Sequence, residues 1–377
     1  MGSEESRKKV LGKVRRVVIK VGSGVLTSAD GLNLRIIKGL AQEISMQMEA
    51  GYQILIVSSG AIAAGIKKMS FTERPKSVLM QQATAAVGQS RLIMAYENAF
   101  ENYQKKVAQV LLTRDDLVNR RRYLNARNTL LALIKWNVVP VINENDTVVA
   151  EEIKFGDNDN LSALVASLVE ADLLINLTDI NGLYDDDPRK NSNAKPIFLV
   201  KKIDSGIERS ASSVTGTFGR GGMFSKVQAA KKLALSGIPT IIANGKVKNI
   251  IGQILESKEV GTLFLPNQKV LSKRKHWIAF TLKPKGEISI DDGARKVIVE
   301  NGKSLLPSGI IEVRGRFGIG DSVKCLGSSG EVLAVGLVNY DSREIDIIKG
   351  LKTSQIESRL GCKYYDEIIH RDNLVLV

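Results

Sequence analysis

Residues 143–160 read NENDTVVAEEIKFGDNDN, with four asparagines, three aspartates and three glutamates set against strongly apolar neighbours. Small amides and carboxylates in this density suit recognition of a small charged molecule. Two lysines supply the opposite charge. Lys20 closes the apolar run VRRVVIKV, where burial is costly without a negative partner. Lys226 lies in the first turns of a helix-like stretch that opens from the glycine-rich GTFGRGGMFSK. A lysine at the positive end of a helix dipole is accounted for by an anion bound there, or by a solvated side chain reaching away. Two lysines flanking one site can stabilise charge on a phosphoryl group in flight. Asp157 and Asp159 can position Mg²⁺ or those lysines, and they are equally suited to cap the helix LSALVASLVEA.

Other chemistries are poorly served. The only histidines, His276 and His370, come late, so a Ser-His or Cys-His nucleophile or a histidine zinc site is not expected in the first 270 residues. Cys325 and Cys362 have no metal-binding spacing and read as reduced, buried thiols. A loop of the form GxxxxGK[ST] is absent. No apolar run approaches the ~20 residues of a membrane span, and the N-terminal residues show no secretory signal.

The elements that must position these groups alternate in type. Apolar runs at 14–21, 52–59, 106–113, 138–143, 171–179 and 237–245 are separated by helix-like segments such as LRIIKGLAQEISMQMEAG and RRRYLNARNTLLALIKWN. Strand cores without polar alternation suit a parallel sheet buried on both faces, and repeated βα units predict a doubly wound α/β fold. In such a sheet, ligands bind beyond the carboxyl ends of the strands. Those ends are polar or glycine-rich here: Lys20 to Gly24, Ser58 to Ala61, Asn143 to Asp146, and Thr178-Asp179. The glycines either turn the chain or let backbone N–H groups approach phosphate or carboxylate oxygens. The run Asp185-Asp186-Asp187-Pro188 reads as a solvated turn. Beyond about residue 275 the texture changes to short strands separated by glycine turns, GEISIDDGARKVIVENGKSLLPSGIIEVRGRFGIGDSV, which predicts a small β-barrel or sandwich.

In this order, the segments VIKVGSGVLT, VSSGAIAAG, QQATAAVGQSRL, LLTRDDL, RYLNARNTL, VPVINENDTV, KFGDNDNLSALVA, LTDINGLYDDDPR and GRGGMFSK resemble the amino-acid kinase family. Within it they are most similar to members that phosphorylate L-glutamate. The likeness runs almost continuously to about residue 265, and the tail, with SLLPSGIIEVRGRFGIGDSV and HRDNL, resembles a PUA domain. The resemblance implies a kinase domain over residues 1–275, built on a doubly wound, mainly parallel sheet, and a β-barrel-like PUA domain over 276–377. It implies transfer of the γ-phosphoryl group of ATP, with Mg²⁺, to the side-chain carboxylate of L-glutamate. The product is L-glutamyl 5-phosphate, and the step opens proline biosynthesis in the cytoplasm.

Carried over by motif, Lys20 and Lys226 stabilise the transferring group, and Asp157 and Asp159 organise them or Mg²⁺, with no residue assigned as a direct metal ligand. Ser59, Asp146 and Asn158 match glutamate-binding positions, Asp146 facing the ammonium group. Lys20, Thr178, Asp179 and the segment Arg220, Gly221, Gly222, Met223, Phe224, Ser225, Lys226 match nucleotide-binding ones. Proline as a feedback inhibitor, a glutamate-5-semialdehyde dehydrogenase receiving the acyl phosphate, and a homo-oligomer are further implications. Two positions depart from the family pattern: GRGGMFSK replaces GTGGM-x-TK, placing Arg220 and Ser225 where threonines are usual, and Gly24 stands where serine is frequent.

The formal charge of +14 raises nucleic-acid binding as a reading of another class. Its distribution argues against a role for the tail. The first 272 residues carry +11 and the remainder only +3, with few aromatic side chains there to stack on bases. A cationic α/β domain also attracts small anions such as ATP.

Overall fold

A computed structural model of the chain describes residues 2–28, 31–148, 157–213, 222–267, 275, 277–278 and 282–376. The chain divides into two compact units, Met1–Val270 and Leu271–Val377. The first is built on strands β1 (Arg16–Val21), β2 (Thr27–Ser28), β3 (Gly31–Leu32), β4 (Gln53–Ser58), β5 (Val107–Leu112), β6 (Val139–Glu144), β7 (Leu173–Thr178), β8 (Leu199–Val200), β9 (Thr240–Asn244) and β10 (Thr262–Phe264). β2 and β3 form a separate hairpin. The others make one sheet in the order β5-β6-β4-β1-β7-β9-β10-β8. Every pair from β5 to β9 is parallel; β10 runs antiparallel to β9 and parallel to β8. β1 is central, with the chain winding to β4 on one side and to β7 on the other. That reversal opens a crevice at the carboxyl ends of these strands.

Side chains on a strand alternate between faces. Val17, Ile19 and Val21 join Ile54, Ile56, Ile175 and Leu177 under the helices Leu34–Glu49 and Val78–Glu101. Val18 joins Leu55, Val57, Ile142 and Leu174 under the helices Asp157–Leu168 and Met223–Leu235. The strands are therefore apolar on both faces, as their sequence predicts. By the same alternation Lys20 and Asn176, paired in register across β1 and β7, point into the second layer at the crevice.

Two helices are held unusually close. Ala61–Lys68, which follows β4, crosses Val78–Glu101 main chain to main chain. A Cβ on Gly65 would lie 1.9 Å from the Thr84 carbonyl oxygen, and one on Gly88 would lie 1.7 Å from that of Ala61. The N-terminal helix Ser3–Leu11, rich in charged residues, is anchored by Arg7. This guanidinium has no exposed surface and donates to the carbonyls of Phe198, Lys258, Val260 and Gly261 at 2.7–3.3 Å.

In the second unit, β11 (Gly286–Ile290), β12 (Ile310–Gly315), β13 (Ser322–Leu326), β14 (Val332–Leu337) and β15 (Leu374–Leu376) form a five-stranded sheet ordered β12-β11-β13-β14-β15. The tail is less purely β than its glycine spacing suggests. DGARKVIVEN is the helix Asp292–Asn301, capped by Asp291 accepting from Ala294 N at 2.6 Å. Cys325 is buried, and burial pushes its thiol up to about 12, whereas Cys362 is only half-buried; both are free thiols. No helix among the described residues is long and apolar enough to cross a membrane.

Candidate active site

The helix Asp157–Leu168 begins at the crevice and carries Asp159 in its first turn. Asp159 is 1% exposed, and its carboxylate is turned to side chains rather than capping the helix. Oδ1 accepts from Lys20 Nζ at 2.6 Å and from Asn176 Nδ2 at 3.0 Å. Oδ2 lies 2.6 Å from Ser225 Oγ and 3.1 Å from Lys226 Nζ. Lys20 and Lys226 are each 5% exposed. A carboxylate offers about four acceptor positions, so this one is saturated by donors and has no lone pair left for a metal ion.

The electrostatics follow from dryness. Burial pulls the Lys20 ammonium down to about 8, with the neighbouring Lys226 charge acting in the same direction and Asp159 and Asp179 opposing both. Burial by itself would raise Asp159, but the charges of Lys20 and Lys226 and the hydrogen bonds from Lys20 and Ser225 outweigh it. Asp159 is held well below the ordinary carboxylate range. One carboxylate thus keeps two cations side by side in a place shielded from water.

A second group sits beside the first. Asn158 Nδ2 is within hydrogen-bonding distance of Ser59 Oγ (3.0 Å), Asn143 Oδ1 (3.1 Å) and the Ser58 carbonyl (3.3 Å). Its Oδ1 is buried and has no hydrogen-bond partner among the described residues. Ser58 is held from below by the fully buried Tyr96, their oxygens 3.0 Å apart. Gln89, from the same helix, donates to the Glu144 carbonyl at 3.4 Å. Asp146 lies just after β6 in a short 3-10 turn, half-buried, and burial lifts its carboxyl to about 6.

The remaining candidates distribute unevenly. Thr178, buried at the end of β7, donates to Asp179 Oδ1 at 3.2 Å. Asp179 borders the Gly22–Gly24 loop, where a Cβ on Gly24 would meet its Cγ at 3.2 Å. Gly222 caps the helix Met223–Leu235. Met223 faces inward against Leu183, Val227 and Ile242, and Phe224 is exposed. Arg220 and Gly221, and the side chain of Asp157, lie outside the described residues. The acidic run at 185–187 is a turn, but Asp187 is covered by the fork of Arg189, at 3.0 Å on each oxygen.

Ser58 and Asn143 belong to the polar strand ends that the sequence marks, whereas Asn176 and Tyr96 are not marked by it. A lone amide inside LLINLT was the one available signal for Asn176, because no apolar core needs it there.

Residues 15–244 match the Amino acid kinase family and residues 286–360 match the PUA domain. The glutamate 5-kinase of Geobacter metallireducens is 54% identical over 372 residues, covering 98% of this chain and 100% of the relative. The chain belongs to the amino acid kinase family, in its glutamate 5-kinase branch. The glutamate 5-kinases of Geobacter sulfurreducens and Caldanaerobacter subterraneus are 52% and 51% identical, covering 98% and 96% of this chain and 100% and 98% of theirs. Among solved structures, the carbamate kinase from Giardia lamblia bound to AMP-PNP shares the fold. Its TM-score is 0.50 at 15% identity, covering 68% of this chain and all of that one.

Proposed function

We propose that this chain transfers the γ-phosphoryl group of ATP to the side-chain carboxylate of L-glutamate. The product is L-glutamyl 5-phosphate, formed in the first step of proline biosynthesis. The observation that carries the chemistry is the Asp159 carboxylate with the Lys20 and Lys226 ammonium groups on its two oxygens. In the reaction a glutamate carboxylate oxygen bonds to the γ-phosphorus while the bond to the β–γ bridging oxygen breaks. The electron pair leaves with ADP. The acceptor is already ionised near neutral pH, so no general base is needed. Positioning and charge neutralisation supply the rate.

In this reading Lys20 and Lys226 neutralise the negative charge spread over the transferring group, and Asp159 sets their spacing. The unpartnered Asn158 Oδ1 and the Asp146 carboxylate support a glutamate ammonium site beside Ser59. Thr178, Asp179 and the segment from Arg220 to Lys226 serve the nucleotide. No group of three His, Cys, Asp or Glu side chains among the described residues could hold a metal. With Asp159 saturated, Mg²⁺ is assigned to the nucleotide's own phosphates rather than to a protein cage.

Residues 1–275 are proposed to hold the whole reaction, and a fragment with that end should keep glutamate-dependent turnover. Acyl phosphates hydrolyse readily, so the product must pass quickly to a reductant, for which a glutamate-5-semialdehyde dehydrogenase in the cytoplasm is the fitting partner. Proline inhibition and homo-oligomer formation complete the proposal.

ADP release from ATP, with hydroxamate formed on adding hydroxylamine, should require glutamate. Lys20→Ala and Lys226→Ala should each lower kcat by about 10²-fold or more. Equal turnover of aspartate or N-acetylglutamate would refute the substrate assignment, and near-normal kcat in either variant would remove that lysine from the mechanism.

A further inference from the structure

We infer that Asn176 is a positioning residue for phosphoryl transfer, holding Asp159 in place through its side-chain amide. The inference rests on the reading of Lys20, Asp159 and Lys226 given above. Asn176 is the only polar residue among the first five positions of β7, Leu173 to Leu177. It has no exposed surface and stands in register with Lys20. Its Nδ2 donates to Asp159 Oδ1 at 3.0 Å, while its Oδ1 is buried with no hydrogen-bond partner among the described residues. An unpaired buried acceptor is unfavourable, and a leucine would fill the same space without it. What the amide adds is one neutral donor aimed at one carboxylate oxygen.

That donor differs from the lysines. When ATP is bound, each ammonium is shared between Asp159 and the phosphoryl oxygens, so the attraction that holds the carboxylate weakens as the transition state forms. Asn176 has no such second claim. It keeps Oδ1 oriented while Lys20 turns part of its charge to the substrate, and it does so without adding charge. Ser225 offers a comparable donor to Oδ2 from the opposite element.

The test uses the full chain. Asn176→Leu keeps the volume and removes the donor together with the unpaired acceptor. Its expected result is a kcat lowered about tenfold, the scale of one hydrogen bond to a charged group, with both KM values within about twofold and no fall in the thermal unfolding midpoint. Asn176→Asp tests the donor directly. The introduced carboxyl faces Asp159, Lys20, Lys226 and, beyond Lys20, Asp179. When protonated it can give Asp159 the same hydrogen bond; when ionised it cannot. Activity relative to the parent chain should therefore be highest at low pH and fall as pH rises, a new limb that a packing role would not produce.

Unchanged kcat in Asn176→Leu overturns the inference. So does a loss matched by a lowered unfolding midpoint with no pH limb in Asn176→Asp. Lys20→Ala separates the two levels: an active Lys20→Ala variant removes the underlying reading, whereas an inactive one beside normal Asn176 variants removes only this inference.

Discussion

Replacing Asp159 by asparagine removes the one negative charge between two buried ammonium groups while preserving shape. Lys20 lies 2.6 Å and Lys226 3.1 Å from its oxygens. An opposite charge about 4 Å away is worth about 4 kcal/mol at an effective dielectric of 20. Lys20 already sits at about 8 because of burial, and Asp159 is the largest influence keeping it protonated. In the parent chain kcat/KM, which reports the free enzyme, should fall as pH rises through about 8, since the active form carries a charged Lys20. Without Asp159 the ammonium releases its proton more easily, so that limb should move down by about two pH units or more. At pH 7.5 the lost charge and lost alignment should lower kcat/KM by about 10²–10³. Initial rates of glutamate-dependent ADP release between pH 5.5 and 9 measure both effects, with circular dichroism confirming that the variant is folded. A basic limb that stays in place, or kcat/KM within about threefold of the parent at pH 7.5, would refute the account of the site.

Asp146 must be ionised to hold an ammonium group, and its carboxyl sits at about 6, so kcat/KM for glutamate should fall as pH drops through about 6. Asp146→Asn should abolish that acidic limb and raise KM for glutamate about 10–100-fold, with KM for ATP nearly unchanged; a selective loss of ATP affinity would show the site reversed. Arg7→Ala removes four hydrogen bonds to carbonyl groups, of which Phe198 and Lys258 keep a backbone donor, and should lower stability by about 2 kcal/mol or more in urea unfolding, with kcat unchanged. Gly24→Ser sets a side chain 3.2 Å from the Asp179 carboxyl carbon, whose flexible end must give slightly, and should shift KM for ATP but not KM for glutamate; equal shifts in both would detach Asp179 from the nucleotide.

The sheet is legible because its strands are short apolar runs ending in glycine, serine or asparagine, and a parallel sheet covered on both faces demands that pattern. The position of Lys20 is legible for the same reason: a cation at the end of such a run must meet an anion. Which anion is not legible. Asp157 and Asp159 look alike in GDNDN, and only the start of the helix at Asp157 turns Asp159 inward. Arg7 is not legible, because its partners come from residues 198–261, a separation no local pattern encodes. The helix Asp292–Asn301 was masked by VIV, whose β-branched residues suit strands, whereas Asp291 and the capped first turn decide otherwise.

The glycine crossing between Ala61–Lys68 and Val78–Glu101 bears on how this site can change over evolutionary time. Loops usually acquire new preferences when a side chain beneath them is exchanged for a larger or smaller one. In the helix that follows the Ser59 turn that route is closed where it crosses its neighbour, because main chain rests on main chain and any Cβ at Gly65 or Gly88 would collide with a carbonyl. A saturation library should show these two positions as intolerant columns beside permissive neighbours. The same Val78–Glu101 helix reaches Ser58 through Tyr96, so the turn inherits its placement from a long, stiff rod. In the proposed glutamate site, new acceptor specificity would then have to come from substitutions around Asp146 and Asn158.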